Sequence, residues 1–211
     1  MESVIIEEMR AFLRLGLPER QRKYFADTID VAKRVEVVPA ADVFNEREIE
    51  LIRRVVRPAV KECYKNAHLL TLLFPDRVRY VEGKTNAFIP IDHAFNRVGD
   101  KYIDITFEFA LGVDPTQYEY VAFGEYPAVV IEGIADQTGY YGNIYRFCYC
   151  AAQMALEKMN PPDVTDTPGG SVRSNRERFL VMRYCKGRLK IGYFTHPAKM
   201  ISQNKDYIFG N

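Results

Sequence analysis

The 211-residue sequence contains no tryptophan and only four cysteines. None of these cysteines belongs to a Cys-x-x-Cys pair, so the spacing typical of a zinc site is missing. Four cysteines in a chain of this length are also too few for a disulfide framework. We therefore expect reduced thiols, as in a cytoplasmic protein; they are Cys63, Cys148, Cys150 and Cys185.

Long apolar segments and a strong net charge are missing as well. No run approaches the roughly 18 apolar residues that cross a bilayer, and Glu2, Glu7 and Glu8 interrupt the region where a secretory signal would be basic and then apolar. The formal net charge is +1, which gives no long-range attraction to a polyanion. These absences predict a soluble, cytoplasmic protein without a membrane partner, and they disfavour nucleic acid as a partner.

The composition is that of an ordinary globular domain, with 47% hydrophobic and 27% charged residues. The length suits one domain, with or without an elaboration, and no internal repeat or low-complexity tract interrupts it. We predict a single domain spanning 1–211. Its parts would be an N-terminal helical elaboration at 1–56, a core at 57–160, and a loop with a basic C-terminal β-hairpin at 161–211.

Helical periodicity dominates the first seventy residues. Apolar positions predict helices at 5–13 and 26–35, separated by a turn at Gly16-Leu17-Pro18. Asn45 suits the N-cap of a further helix. Pro58 interrupts that pattern and is expected to begin the next helix, because proline is tolerated only in a first turn.

From residue 77 the apolar period changes to two. Alternation predicts antiparallel strands at 78–83, 88–98 and 101–106, the last two joined by a turn at Gly99-Asp100. A helix fits 140–159 and a terminal hairpin fits 179–194. The predicted fold class is α+β, with N-terminal helices packed against an antiparallel β-sheet.

One cysteine, one histidine and one aspartate occur in an order that suits nucleophilic catalysis. An active thiol needs a base and a group that fixes the tautomer of that base. Cys63 lies on the helix expected from Pro58, and that start would place it more than one turn inside, where the helix dipole has little effect. His93 and Asp104 lie on strands joined by a tight turn, about one diagonal neighbour apart, within hydrogen-bond reach. The spacing permits a Cys-His-Asp triad.

The order of the surrounding motifs resembles the transglutaminase-like branch of the papain-like cysteine protease superfamily. Phe95 stands where that family has an aromatic residue, and Ile105 replaces its proline. The match covers roughly a fifth of the chain, and the joint order is more specific than any one motif. The matching segments are the helix with Cys63, Arg79-Tyr80-Val81-Glu82-Gly83, Asp92-His93-Ala94-Phe95-Asn96 and Asp104-Ile105-Thr106.

The resemblance implies a papain-like core and cysteine-dependent acyl transfer, most simply hydrolysis of an amide or peptide bond, as in a thiol protease, peptidase or amidase. Cys63 would be the nucleophile, His93 the general base and acid, and Asp104 the orienting group. No metal or organic cofactor is implied, and the substrate would be a protein or peptide. The candidate substrate contacts are Glu82, Gly83, Phe95 and Tyr141.

Two alternatives stay open. An acyl-enzyme that passes to an amine would make the protein a transglutaminase-type or deamidase-type transferase. A charged segment around Cys63, at 61–66, suits instead a catalytically silent binding module with the same fold. The sequence does not choose an oxyanion donor among the Cys63 backbone N–H and the side chains of Gln21, Asn45 and Asn66.

The remaining candidate groups have simpler interpretations. His68 lies about 140° around the helix from Cys63, so we expect it to be structural or exposed. Cys148 and Cys150 are expected in the core, and His196 at the surface. The sequence leaves the substrate and the oligomeric state undetermined. A solvated face is favoured over a phosphate-binding surface for the basic C-terminal residues Arg173, Arg176, Arg178, Arg183, Lys186, Arg188 and Lys190.

Overall fold

The computed structural model describes residues 3–86, 89–159, 179–185 and 188–194. The chain forms two compact units, residues 1–145 and 146–211. The α+β class is confirmed, because helices accompany an antiparallel sheet. The helices are α1 (Val4–Phe12), α2 (Glu19–Val31), α3 (Glu46–Val55), α4 (Cys63–Leu73), α5 (Ala128–Thr138) and α6 (Ile144–Met159).

The first unit contains a five-stranded sheet in the order β1-β5-β2-β3-β4. Its strands are β1 (Lys33–Val35), β2 (Val78–Asn86), β3 (Pro90–Val98), β4 (Lys101–Ile103) and β5 (Tyr120–Tyr126), all paired antiparallel.

The sheet curls until its two edges approach each other. Val37, just after β1, forms a bridge to Tyr102 on β4, and the Val38 N–H donates to the Tyr102 carbonyl at 2.8 Å. Alternate side chains of the strands are therefore enclosed on one inner face. That inner core includes Val81, Phe95 and Tyr120.

The outer face is covered by helices. Asn96 of β3 donates through Nδ2 to the Ala67 carbonyl (2.9 Å) and to Thr71 Oγ1 (3.0 Å), which fixes α4 against the sheet. Leu70 of α4 is fully buried in a second apolar cluster with Val78 of β2. These contacts hold α4 in a fixed relation to β3.

The predicted boundaries of two helices in the first seventy residues are wrong. The helix expected at 26–35 ends at Val31, and the next residues form β1. The helix expected from Pro58 begins instead at Cys63, because Arg57 and Lys61 adopt φ values of 52° and 66° that a right-handed helix excludes.

The strand predicted at 101–106 is also shorter than expected. β4 ends at Ile103, and a π-helical turn occupies Thr106–Leu111. The sequence patterns missed β1, β5 and α5 altogether. The hairpin predicted at 179–194 is confirmed as β6 (Phe179–Cys185) paired with β7 (Arg188–Phe194). The predicted loop, His196 and the basic residues Arg173, Arg176, Arg178 and Lys186 lie outside the described residues.

Within the described part of the chain, the helices are all too short or too polar to cross a membrane.

Candidate active site

Cys63 is the first residue of α4, so its half-buried thiol lies at the positive end of a helix. The loop before it is held by Asn66, which accepts the Ala59 N–H (3.2 Å) and donates to the Ala59 carbonyl (2.8 Å). Asn66 also donates to Thr106 Oγ1 at 3.1 Å, beyond β4. Backbone N–H groups in a first helical turn have no intrahelical acceptor. The thiol therefore lies beside the N–H groups of a first helical turn that has no side-chain cap.

His93 lies on the inner face of β3, opposite Gly83 of β2, and is only 2% exposed. Its Nε2 is 2.7 Å from Oδ2 of Asp104. The ring lies against three aromatic side chains, with centroid distances of 6.4 Å to Phe95, 5.1 Å to Phe107 and 6.3 Å to Tyr120. An ionised carboxylate only accepts hydrogen bonds, so we assign the proton on Nε2 to the bond with Asp104.

The environment of His93 favours its charged form. Burial by itself would lower the pKa of the ring, but the charge and hydrogen bond of Asp104 and a hydrogen bond with Cys63 raise that pKa to about 10. Because Nε2 faces Asp104, Nδ1 is the nitrogen left for Cys63. The structure therefore pairs the predicted imidazole and carboxylate directly, and Cys63 contributes to the raised pKa of that imidazole.

Asp104 is fully buried and its carboxylate accepts four hydrogen bonds. Oδ1 accepts the backbone N–H groups of Thr106 (2.9 Å) and Phe107 (3.2 Å). Oδ2 accepts His93 Nε2 and the hydroxyl of Tyr120, the latter at 2.9 Å. The residue lies just past β4 rather than on it, and this position lets its side chain cap the start of the π-helical turn.

The Tyr64 side chain, next to Cys63, packs against the loop that follows α5. Burial raises the pKa of the Tyr64 phenol, and the negative charges of Asp92 and Glu82 raise it further. A Cβ added to Gly142 would lie 2.8 Å from the Tyr64 ring, so only glycine permits this contact. Tyr141, in the same loop, is 41% exposed, and its role as a substrate contact stays a prediction.

Three predicted substrate contacts occupy buried positions with other partners. Glu82, 5% exposed, accepts the Tyr80 hydroxyl (2.8 Å) and the N–H groups of Ile144 (2.9 Å) and Tyr145 (2.8 Å), so it caps the start of α6. A Cβ on Gly83 would come within 1.9 Å of the Val121 carbonyl oxygen, which makes Gly83 a packing residue. Phe95 is 1% exposed in the inner core, where its ring packs against Tyr102 and Tyr120, and its role as a substrate contact stays a prediction.

The candidate donors to an oxyanion differ in the hydrogen bonds that they already make. Asn45 caps α3 in a capping box with Glu48, and the amide of Asn66 holds the loop before Cys63. Gln21 is exposed on α2. The backbone N–H of Cys63 is the candidate donor that the helix itself directs to the thiol.

Other predicted positions are corrected by burial. His68 is 2% exposed, which excludes the exposed alternative, and burial lowers its pKa to about 4. Cys150 is exposed, and Cys148 is half-buried, so neither belongs to the fully buried core. Sequence reasoning missed Tyr120, because its strand β5 was not predicted and its contact with Asp104 joins separate elements.

Among the described residues, no group of three or more histidine, cysteine, aspartate or glutamate side chains is arranged to hold a metal ion. Comparisons with models of protein families, with curated proteins and with solved structures found no match to this chain. The site itself contains a thiol at a helix start, a buried imidazole and a buried carboxylate, the three groups that nucleophilic acyl transfer requires.

Proposed function

We propose that the protein is a cysteine hydrolase that cleaves an amide or peptide bond through Cys63, His93 and Asp104, on a core of the papain-like, transglutaminase-like type. One observation carries the proposal: the buried His93 ring is bonded to Asp104 through Nε2, and Cys63 at the start of α4 is near enough to help raise the pKa of that ring. The substrate would be a protein or a peptide.

Acylation follows from this arrangement. The Cys63 sulfur, as thiolate, forms a bond to the carbonyl carbon, and the carbonyl electron pair moves to oxygen, beside the backbone N–H of Cys63. When the carbon–nitrogen bond breaks, the leaving nitrogen takes the proton of the His93 imidazolium. The products of this half are a thioester on Cys63, a free amine and a neutral imidazole.

Deacylation restores the enzyme. Neutral His93 accepts a proton from water while the water oxygen bonds to the thioester carbon. The carbon–sulfur bond then breaks, which releases the carboxylic acid and returns the thiolate. Asp104 keeps its charge throughout, holds the Nε2–H of His93 and stabilises the imidazolium.

Thiol alkylation tests this proposal, with Cys150 as an internal reference. Cys150 is the more exposed thiol, so access alone would make it react faster. With iodoacetamide at pH 6, followed by peptide mass spectrometry, we expect Cys63 to react about tenfold faster than Cys150, because the proposed pairing with His93 activates the Cys63 thiol as a nucleophile. The variant His93→Gln should remove this excess.

Turnover of a peptide mixture supplies the second measurement. Wild type should release new peptide termini, and Cys63→Ala should release none, whereas Cys150→Ala should match wild type. A Cys63 that alkylates more slowly than Cys150, together with identical peptide products from wild type and Cys63→Ala, would overturn the enzyme proposal.

The catalytically silent binding module is favoured by one observation: the amides of Asn45 and Asn66 have structural partners. This alternative predicts that Cys63 is alkylated slowly and that the protein hydrolyses no peptide.

A further inference from the structure

A tyrosine hydroxyl shares one oxygen of Asp104 with His93. Tyr120, on β5, is fully buried, and its hydroxyl lies 2.9 Å from Oδ2. His93 Nε2 lies 2.7 Å from the same atom. The other oxygen, Oδ1, is already occupied by two backbone N–H groups. Oδ2 is therefore the atom through which two side chains compete for the charge of the carboxylate.

The phenol must keep its proton in order to act as a donor. Burial raises the pKa of Tyr120, and the charge of Asp104 raises it further. Tyr120 therefore stays neutral over the pH range in which His93 titrates. Hydrogen bonds to an ionised carboxylate are strong, and each donor reduces the negative charge available to the others.

We propose that Tyr120 is a positioning residue that fixes the carboxylate of Asp104 and limits the basicity of His93. The inference deepens the proposed function, on which it rests for the step in which His93 serves Cys63. Without the hydroxyl, His93 would be the one side chain donating to Oδ2, so the negative charge of that oxygen would stabilise the imidazolium further. The ring would then return its proton to a leaving group less readily.

Two carboxylates on neighbouring elements, Asp92 and Glu108, have partners of their own, whereas Oε1 of Glu119, next to Tyr120 in the sequence, is buried without a partner among the described residues. Lys84 and Asp92, on β2 and β3, form an ion pair at 2.6 Å. Glu108 accepts the Ala40 N–H at 2.8 Å. Three further side chains lie near the cluster: Cys63 on α4, Thr85 and Tyr118. The Thr85 hydroxyl lies beside that of Tyr120 and donates to the Glu119 carbonyl at 3.0 Å. The Tyr118 ring packs on Phe107.

The test is a titration of His93 by NMR, in a Cys63→Ala background so that the ring titrates without the thiol. Adding Tyr120→Phe should raise the pKa of His93 by about half a unit to one unit. Tyr102→Phe is the matched control: Tyr102 is buried at 6% exposure, and its hydroxyl bonds a different carboxylate, that of Glu125, at 2.6 Å. The control should leave the titration of His93 unchanged.

An unchanged or lowered pKa in Tyr120→Phe, or an equal shift in Tyr102→Phe, would overturn the inference. Should Tyr120→Phe not fold, 3-fluorotyrosine at position 120 keeps the ring and provides a stronger donor. It should lower the pKa of His93, and a rise or no change would contradict the proposal.

A second readout uses the intact thiol. In Tyr120→Phe with Cys63 present, the alkaline limb of the pH profile for peptide hydrolysis should move upward with the pKa of His93. If Cys63 proves inert, the proposed function fails, yet the NMR shift in the Cys63→Ala background still decides the role of Tyr120. The two failures are therefore distinguishable.

Discussion

His68 and His93 are equally buried, at 2% exposure each, yet their protonation differs in direction. Burial lowers the pKa of His68 to about 4, and the nearby charge of Asp136 offsets only part of this effect. Burial also opposes the charge on His93, but Asp104 and then Cys63 outweigh it and raise the pKa to about 10. At neutral pH His68 is therefore neutral, whereas His93 carries a proton.

The aromatic surroundings do not explain the difference. The His68 ring lies 6.4 Å from Tyr80 and 5.0 Å from Tyr141, and His93 also packs against aromatic rings. What differs is the hydrogen bonding: Nδ1 of His68 has no partner among the described residues, and His93 bonds a buried carboxylate. A buried imidazole becomes a candidate base through its charged partner and not through burial.

Removing the charge of Asp104 should have the largest effect, because it makes His93 resemble His68. In Asp104→Asn we expect the pKa of His93 to fall from about 10 to below that of a free histidine. An amide donor at this position would also favour the proton on Nδ1, the wrong nitrogen for accepting one from Cys63. Peptide hydrolysis should drop by about three to four orders of magnitude.

The control for this change is Glu125→Gln, which neutralises a carboxylate paired with Arg97 at 2.7 Å, on the same two strands that carry Tyr120 and His93. That variant should leave the titration of His93 unchanged by NMR. If His93 still titrates near 10 in Asp104→Asn, the carboxylate is not the cause of the shift.

His93 should also make folding stability depend on pH. Its folded pKa is about 10 and the unfolded value is about 6.5, so its contribution is fully present below pH 6.5 and is lost as pH rises through 10. The shift corresponds to at most about 5 kcal/mol. Urea unfolding at pH 6 and pH 10 should show a steeper loss for wild type than for His93→Gln. Parallel losses would refute this linkage.

The sequence predicted the contact between His93 and Asp104 because local geometry determines it. The turn at Gly99-Asp100 sets the register of β3 and β4, with Asn96 opposite Ile103. Extending that register by one residue brings Asp104 one diagonal step from His93. The α+β class was predictable for a similar reason, since the periodicity changes from helical to alternating near residue 77.

Contacts between distant segments determine the rest, and a local pattern does not contain them. The loop before Cys63 is held by Asn66, which binds both Ala59 and Thr106, the latter 40 residues away. Glu82 is buried because its partners are backbone N–H groups 62 and 63 residues further on. Sequence spacing therefore predicted the contact between His93 and Asp104 but not the residues that surround it.

His68 should produce a smaller pH effect of opposite direction. Its folded pKa is about 4 and its unfolded value about 6.5, so the native state is unpenalised above pH 6.5 and loses stability as pH falls toward 4. The expected loss in the free energy of unfolding is about 3 kcal/mol, because His68 is protonated in the unfolded chain at this pH and neutral in the folded protein.

The variant His68→Gln isolates this contribution, since every other carboxylate and histidine still titrates. Its unfolding free energy, measured in urea at pH 7 and pH 4.5, should fall less than that of wild type over the same interval. An equal fall in both proteins would mean that His68 gains a proton without cost in the folded state. The aromatic surroundings of His68 would then tolerate a charged ring, and Asp104 would not be needed to explain why His93 is protonated.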